Sequence, residues 1–146
     1  EENNKNIPTM LNYKTHIDKS SMFNTPPVFS IYVSMLTLEW LKKNGGITWI
    51  EKQNLNKSNL LYQTLDNNNL FNGIANKEDR SIMNATFKLE ESTLEKRFNL
   101  MCTNTGISGI KGHRSVGGYR ASMYNAMPIE SVQVLTEIMN ELERKA

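Results

Sequence analysis

Cysteine is nearly absent. Cys102 stands alone among 146 residues, which excludes an intrachain disulfide framework and a cysteine-rich zinc site and makes a reducing, cytoplasmic setting the expectation. No catalytic role is expected of this lone thiol, and no metal site is expected in the chain. No apolar run approaches the ~20 residues of a membrane span, and no secretory leader opens the sequence, so no membrane partner is expected. An excess of one charge is also missing. The 17 basic and 15 acidic residues leave a net charge of +2, too little for the concentrated basic face of a nucleic-acid binder. Nor are there paired carboxylates in an acid/base setting, a glycine-rich loop of dinucleotide type, or a Ser/His/Asp arrangement.

What is present centres on residues 112–122, GHRSVGGYRAS. Three anion-binding side chains, His113, Arg114 and Arg120, sit on a backbone that glycine frees for close approach to a ligand. One reading is an anion site in which His113 and Arg114 grip a phosphate and Arg120 takes a planar carboxylate bidentately. The alternative is a surface turn with solvated arginines.

The chain has room for one ordinary domain but not for two full-sized ones. Residues 1–20 are polar and predict no regular element. Thr25 is placed to cap a helix opened by Pro26 and Pro27, with Asn24-Thr25 read either as a cap or as an anion site at a helix N-terminus. Over 28–43 apolar residues recur at spacings of three and four and spread almost all round, predicting a long helix buried on most sides that packs against more protein than this chain supplies. Asn44-Gly45-Gly46 ends it. A second helix is expected over 47–65, with Ile47, Ile50, Leu61 and Leu65 inward and a polar middle, 52–59, facing water; the Asx cluster at 66–69 stops it.

Alternation over 81–89 predicts a half-buried strand with Met83, Ala85, Phe87 and Leu89 on one face. Ser92 to Glu95 has capping-box spacing ahead of a helix ending near Gly106. Short strands are expected at 107–110 and 119–124, joined by the glycine loop, and Pro128 opens a last amphipathic helix. The order points to a layered α/β or α+β unit.

These segments are familiar together. MFNTPPVFSIYV, LEWLKKNGG, RSIMNATF and KGHRSVGGYRASMYNAMP resemble the C-terminal part of the phosphoserine aminotransferase family from about residue 20 onward. That resemblance implies a fold-type I transferase using pyridoxal 5'-phosphate, in an α/β frame whose small C-terminal domain has a small sheet flanked by helices and a long N-terminal connecting helix. It implies transfer of an amino group between glutamate and 3-phosphohydroxypyruvate to give O-phosphoserine in serine biosynthesis. Residues 1–48 would complete the large cofactor domain and 49–146 would form the small one. It makes His113 and Arg114 ligands of the substrate phosphate and Arg120 the partner of its α-carboxylate. Asn24 and Thr25 become contacts to the cofactor phosphate of a neighbouring subunit in a homodimer.

In that family the Schiff-base lysine, the aromatic residue on the pyridine ring and the Asp paired with its nitrogen precede the matched region. No lysine here sits in a matching motif, and the sequence opens Glu1-Glu2 without an initiator Met. The expectation is a piece of a longer enzyme with no catalytic residue of its own, inactive alone because a cofactor enzyme needs its lysine and pyridinium partner. The competing readings are a non-catalytic module binding a small phosphorylated carboxylate, and another aminotransferase of this fold, against which His113 and Arg114 argue.

Overall fold

A computed structural model describes residues 7–146 and divides at Asn44/Gly45 into two compact units, each taken by itself below. In the first unit, a short 3-10 turn at Thr9–Leu11 leads to helix α1, Tyr13–Asp18. Order in this region was not expected; residues 1–6 lie outside the described part. The Asn12 side chain supplies the missing signal by accepting from the Lys14 N–H, an Asx cap that polar composition alone does not distinguish from a loop.

Helix α2, Val28–Lys43, forms where the apolar spacing predicts it, but Thr25 does not cap it. Pro27 occupies the cap position with no side-chain bond, and the Val28 N–H bonds to Pro26 O at 2.8 Å. Nor is α2 buried on most sides: none of its residues is buried, and Phe29 is 79% exposed. All-round apolarity reports what a helix could bury, whereas burial also needs a partner surface.

In the second unit, left-handed Gly45 (φ 111°) stands at the cap of helix α3, Gly46–Asn67, whose first residue is also left-handed (φ 72°). Ile50, Leu61 and Leu65 point inward as expected, whereas Ile47 is exposed. The middle of α3 departs furthest from expectation, for Asn54, Lys57 and Ser58 are buried rather than hydrated. Lys57 Nζ donates to three backbone carbonyls, Met123 O at 3.2 Å, Tyr124 O at 2.7 Å and Met127 O at 3.1 Å. Those acceptors compensate an ammonium taken out of water, and burial pushes its pKa down. Asn68 then ends the helix by accepting from the Leu70 and Phe71 N–H groups.

Strands β1 (Phe71–Gly73), β2 (Asn84–Leu89) and β3 (Tyr119–Ser122) form an antiparallel sheet in the order β1-β2-β3. Phe71 pairs with Leu89, and Asn84 to Phe87 pair with Ser122 to Tyr119. The strand expected from 81 starts at 84 because Ser81 Oγ accepts from the Met83 and Asn84 N–H groups, making a turn. Helices α4, Glu95–Asn104, and α5, Ile129–Arg144, complete the unit; Pro128 sits at the cap of α5. A 3-10 turn, Ser92–Leu94, leads into α4 with no side-chain cap, so the capping box does not form.

Period-2 alternation puts Ala85, Phe87, Leu89, Tyr119 and Ala121 in one core with Leu61, Phe98, Leu135 and Met139. The Tyr119 ring stacks on Phe87 (5.5 Å, 19°) and meets Phe98 edge-on (4.9 Å, 89°). With Tyr119 anchored inward, Arg120 must face the other way.

At the sheet margin Arg80 spans both Asp66 oxygens (2.9 and 2.5 Å) and covers the Tyr62 ring at 4.5 Å. The Arg80 guanidinium holds the Asp66 carboxyl below its ordinary value of 3.8. A depressed carboxylate contributes stability that is present above 3.8 and lost as pH falls through the lower folded value. Thermal melts between pH 5 and 2 should therefore show Asp66→Asn narrowing its deficit against the parent by up to about 1 kcal/mol. A deficit unchanged over that range would remove the pair's role.

Candidate functional site

The chain between α4 and β3 is not the expected strand and hairpin. Residues 107–110 form no strand, because left-handed Gly109 (φ 67°) breaks extension, and only a single bridge links Lys111 to Tyr119. Beyond it the loop closes on itself. The Gly112 N–H donates to Gly118 O at 2.8 Å, and the Val116 and Gly117 N–H groups donate to His113 O at 3.0 and 2.8 Å. Two glycines are structurally required here. A Cβ on Gly112 would lie 2.2 Å from Gly117 O, and one on Gly118 (φ 64°) would lie 2.8 Å from Phe87 O.

This closure sets out the predicted site residues. His113 and Arg114 are exposed at the tip and line a cleft of about 470 Å³ with Lys111, Glu95 and Asn99. His113 Nδ1 lies 2.7 Å from Ser115 Oγ and accepts the Ser115 N–H at 3.3 Å. Arg120, exposed on β3 opposite Thr86, lines a different cleft of about 420 Å³ with 105–110, Met127, Ser131 and Leu135. The structure thus joins His113 to Arg114 and sets Arg120 apart on the next stretch of the same chain. Asn24 and Thr25 belong to the other unit. Their side chains are exposed just before α2, and Asn24 Nδ2 reaches only Thr25 O at 3.4 Å.

Sequence reasoning passed over the residues behind these groups. Tyr119 is buried beneath the cleft, and burial first, then the Glu95 charge, pushes its phenol up to about 12, so it stays protonated. Lys57 and Asn54, which donates to Asn125 Oδ1 at 2.8 Å, hold the turn after β3. A polar i, i+3 pair on α3 is the only sequence signal for them, and it equally fits a solvated face. Cys102 is buried with its thiol pushed up to about 11, leaving it a core residue. Among the described residues no three His, Cys, Asp or Glu side chains come together, and no helix is long and apolar enough to cross a membrane.

The family model for aminotransferase class-V matches residues 4–135. The chain is 62% identical over 139 residues to the phosphoserine aminotransferase of Flavobacterium psychrophilum, covering 95% of this chain and 39% of that protein. Its fold matches the solved phosphoserine aminotransferase of Bacillus circulans subsp. alkalophilus with a TM-score of 0.87 and 41% identity, covering 97% of this chain and 39% of that one. The pyridoxal-phosphate-bound phosphoserine aminotransferase of Trichomonas vaginalis matches with a TM-score of 0.80 and 32% identity, covering 93% and 39%. This is the fold-type I architecture inferred from the resemblance. The chain spans about 40% of the length of these relatives.

Proposed function

The chain belongs to the aminotransferase class-V family, and from that premise we propose that it is the substrate-gripping part of a phosphoserine aminotransferase. In this reading the complete enzyme moves an amino group between glutamate and 3-phosphohydroxypyruvate. The observation that carries it is the closed glycine loop, which presents His113 and Arg114 together at one cleft and Arg120 at another. His113 and Arg114 bind and orient the phosphate. Arg120, held outward by the inward anchoring of Tyr119, takes the α-carboxylate shared by both amino acids. Residues 1–48 form the edge of the cofactor domain and 49–146 the small domain, and the exposed apolar residues of α2 suit a homodimer interface.

Asn24 and Thr25 fit the phosphate of pyridoxal phosphate. Their side chains cap nothing, are exposed, and precede a helix N-terminus whose dipole favours an anion. When bound, that cofactor supplies the electron sink of the reaction. The lysine and pyridinium partner belong to a part of the enzyme outside this chain, so 1–146 by itself carries binding rather than turnover.

Substitution in the full-length enzyme separates the two anion sites. Arg114→Ala should lower kcat/KM for O-phosphoserine roughly ten- to hundredfold, as expected for one charge-assisted contact, and leave glutamate within about threefold. Arg120→Ala should weaken both. Equal losses for the two substrates in Arg114→Ala would overturn the assignment.

A further inference from the structure

Both hydrogen bonds of the His113 ring fall on Nδ1. The Ser115 backbone N–H points at it from 3.3 Å, and Ser115 Oγ lies 2.7 Å away. A backbone N–H only donates, so Nδ1 must offer it a lone pair and carries no hydrogen; the rotatable Ser115 O–H then donates to the same nitrogen. An imidazole keeps at least one N–H, so in the neutral ring the hydrogen is on Nε2. The turn closed by the Val116 N–H on His113 O folds Ser115 back onto the ring two residues before it.

We infer that Ser115 sets the tautomer of His113, so that the ring meets a phosphate oxygen through Nε2–H. This rests on the phosphate reading proposed above. As the dianion that prevails above its second pKa of about 6, a phosphate monoester accepts and does not donate, and the opposite tautomer would turn an Nε2 lone pair towards it. Ser115 is therefore a positioning residue. It makes the neutral ring a donor beside the full charges of Arg114 and Lys111, with Glu95 the acidic group on the same cleft.

The test uses the full-length enzyme, with O-phosphoserine and inorganic phosphate as probes. His113→Gln places an amide N–H near the Nε2 position, and His113→Asn places one near Nδ1. Gln should keep both affinities within about threefold, whereas Asn should lose roughly ten- to hundredfold. In protein labelled with 15N-histidine, the signal missing from His113→Gln identifies the His113 ring. It should show a bare Nδ1 and a protonated Nε2, a preference weakened in Ser115→Ala and restored in Ser115→Thr. An Nδ1–H ring without ligand, Asn outperforming Gln, or equal losses in both would overturn the inference. If neither His113 substitution changes phosphate binding, the phosphate reading falls and takes the contact with it, while the ring spectrum still decides the tautomer.

Discussion

Lys57→Met is expected to cost about 3 kcal/mol, a large share of the roughly 5–15 kcal/mol that keeps a domain folded. Met matches the lysine stem in bulk, so no large cavity opens, and the loss isolates the ammonium. Lys57 is 1% exposed, and its three donors all end on carbonyls of Met123, Tyr124 and Met127. Removing it leaves three acceptors around an apolar methyl, each costing roughly 1–3 kcal/mol if dry. Tyr124 and Met127 have exposed side chains, so water reaches part of this turn and reduces the sum. The relieved desolvation of the ammonium reduces it further. In urea the midpoint should fall with the slope unchanged. A shift worth under about 1 kcal/mol would mean that Lys57 sits in the core without holding the turn.

Lys57 also shows where sequence stops being informative. The second helix, the central strand and the last helix were legible because their apolar spacing repeats within one element. Ala85, Phe87 and Leu89 needed no knowledge of the rest of the chain. Lys57 instead meets carbonyls 66 to 70 positions away, and a lysine in a polar run carries no mark of that. Strand β1 was invisible for a similar reason: Phe71–Gly73 is too short for alternation and exists only through its ladder with β2. The exposed apolar surface of α2 is the converse case, where the residues state a capacity to bury and only a partner surface realises it.

The candidate site was more legible than its supports. His113, Arg114 and Arg120 stand out as three anion-binding side chains on one glycine-rich stretch, a pattern that fits a surface turn with solvated arginines as well as an anion site. What periodicity could not convey is that the loop follows a helix rather than a strand, or that it closes through Gly112 and Gly118. Those contacts are backbone to backbone and leave no trace in residue type beyond the glycines themselves.

Gly112→Ala tests that closure and should have the largest effect on recognition. The new methyl would sit 2.2 Å from Gly117 O and 3.1 Å from Gly118 O, both backbone atoms with no flexible end to swing aside. The Gly112 to Gly118 hydrogen bond must then open, and His113, the next residue, moves with it. In the full-length enzyme a misplacement on the order of 1 Å should lower kcat/KM for O-phosphoserine about hundredfold. Overpacking on an exposed loop should cost only about 1–3 kcal/mol of stability, so the enzyme stays folded while losing its grip. Gly117→Ala is the control. Gly117 is left-handed at φ 75° but nothing lies within 4 Å of its would-be Cβ, so it risks only the conformational cost of about 1 kcal/mol. If Gly117→Ala proves as damaging as Gly112→Ala, backbone conformation rather than the close approach at Gly112 shapes the loop. If Gly112→Ala behaves like the parent, the loop does not hold its closed form when it meets the phosphate.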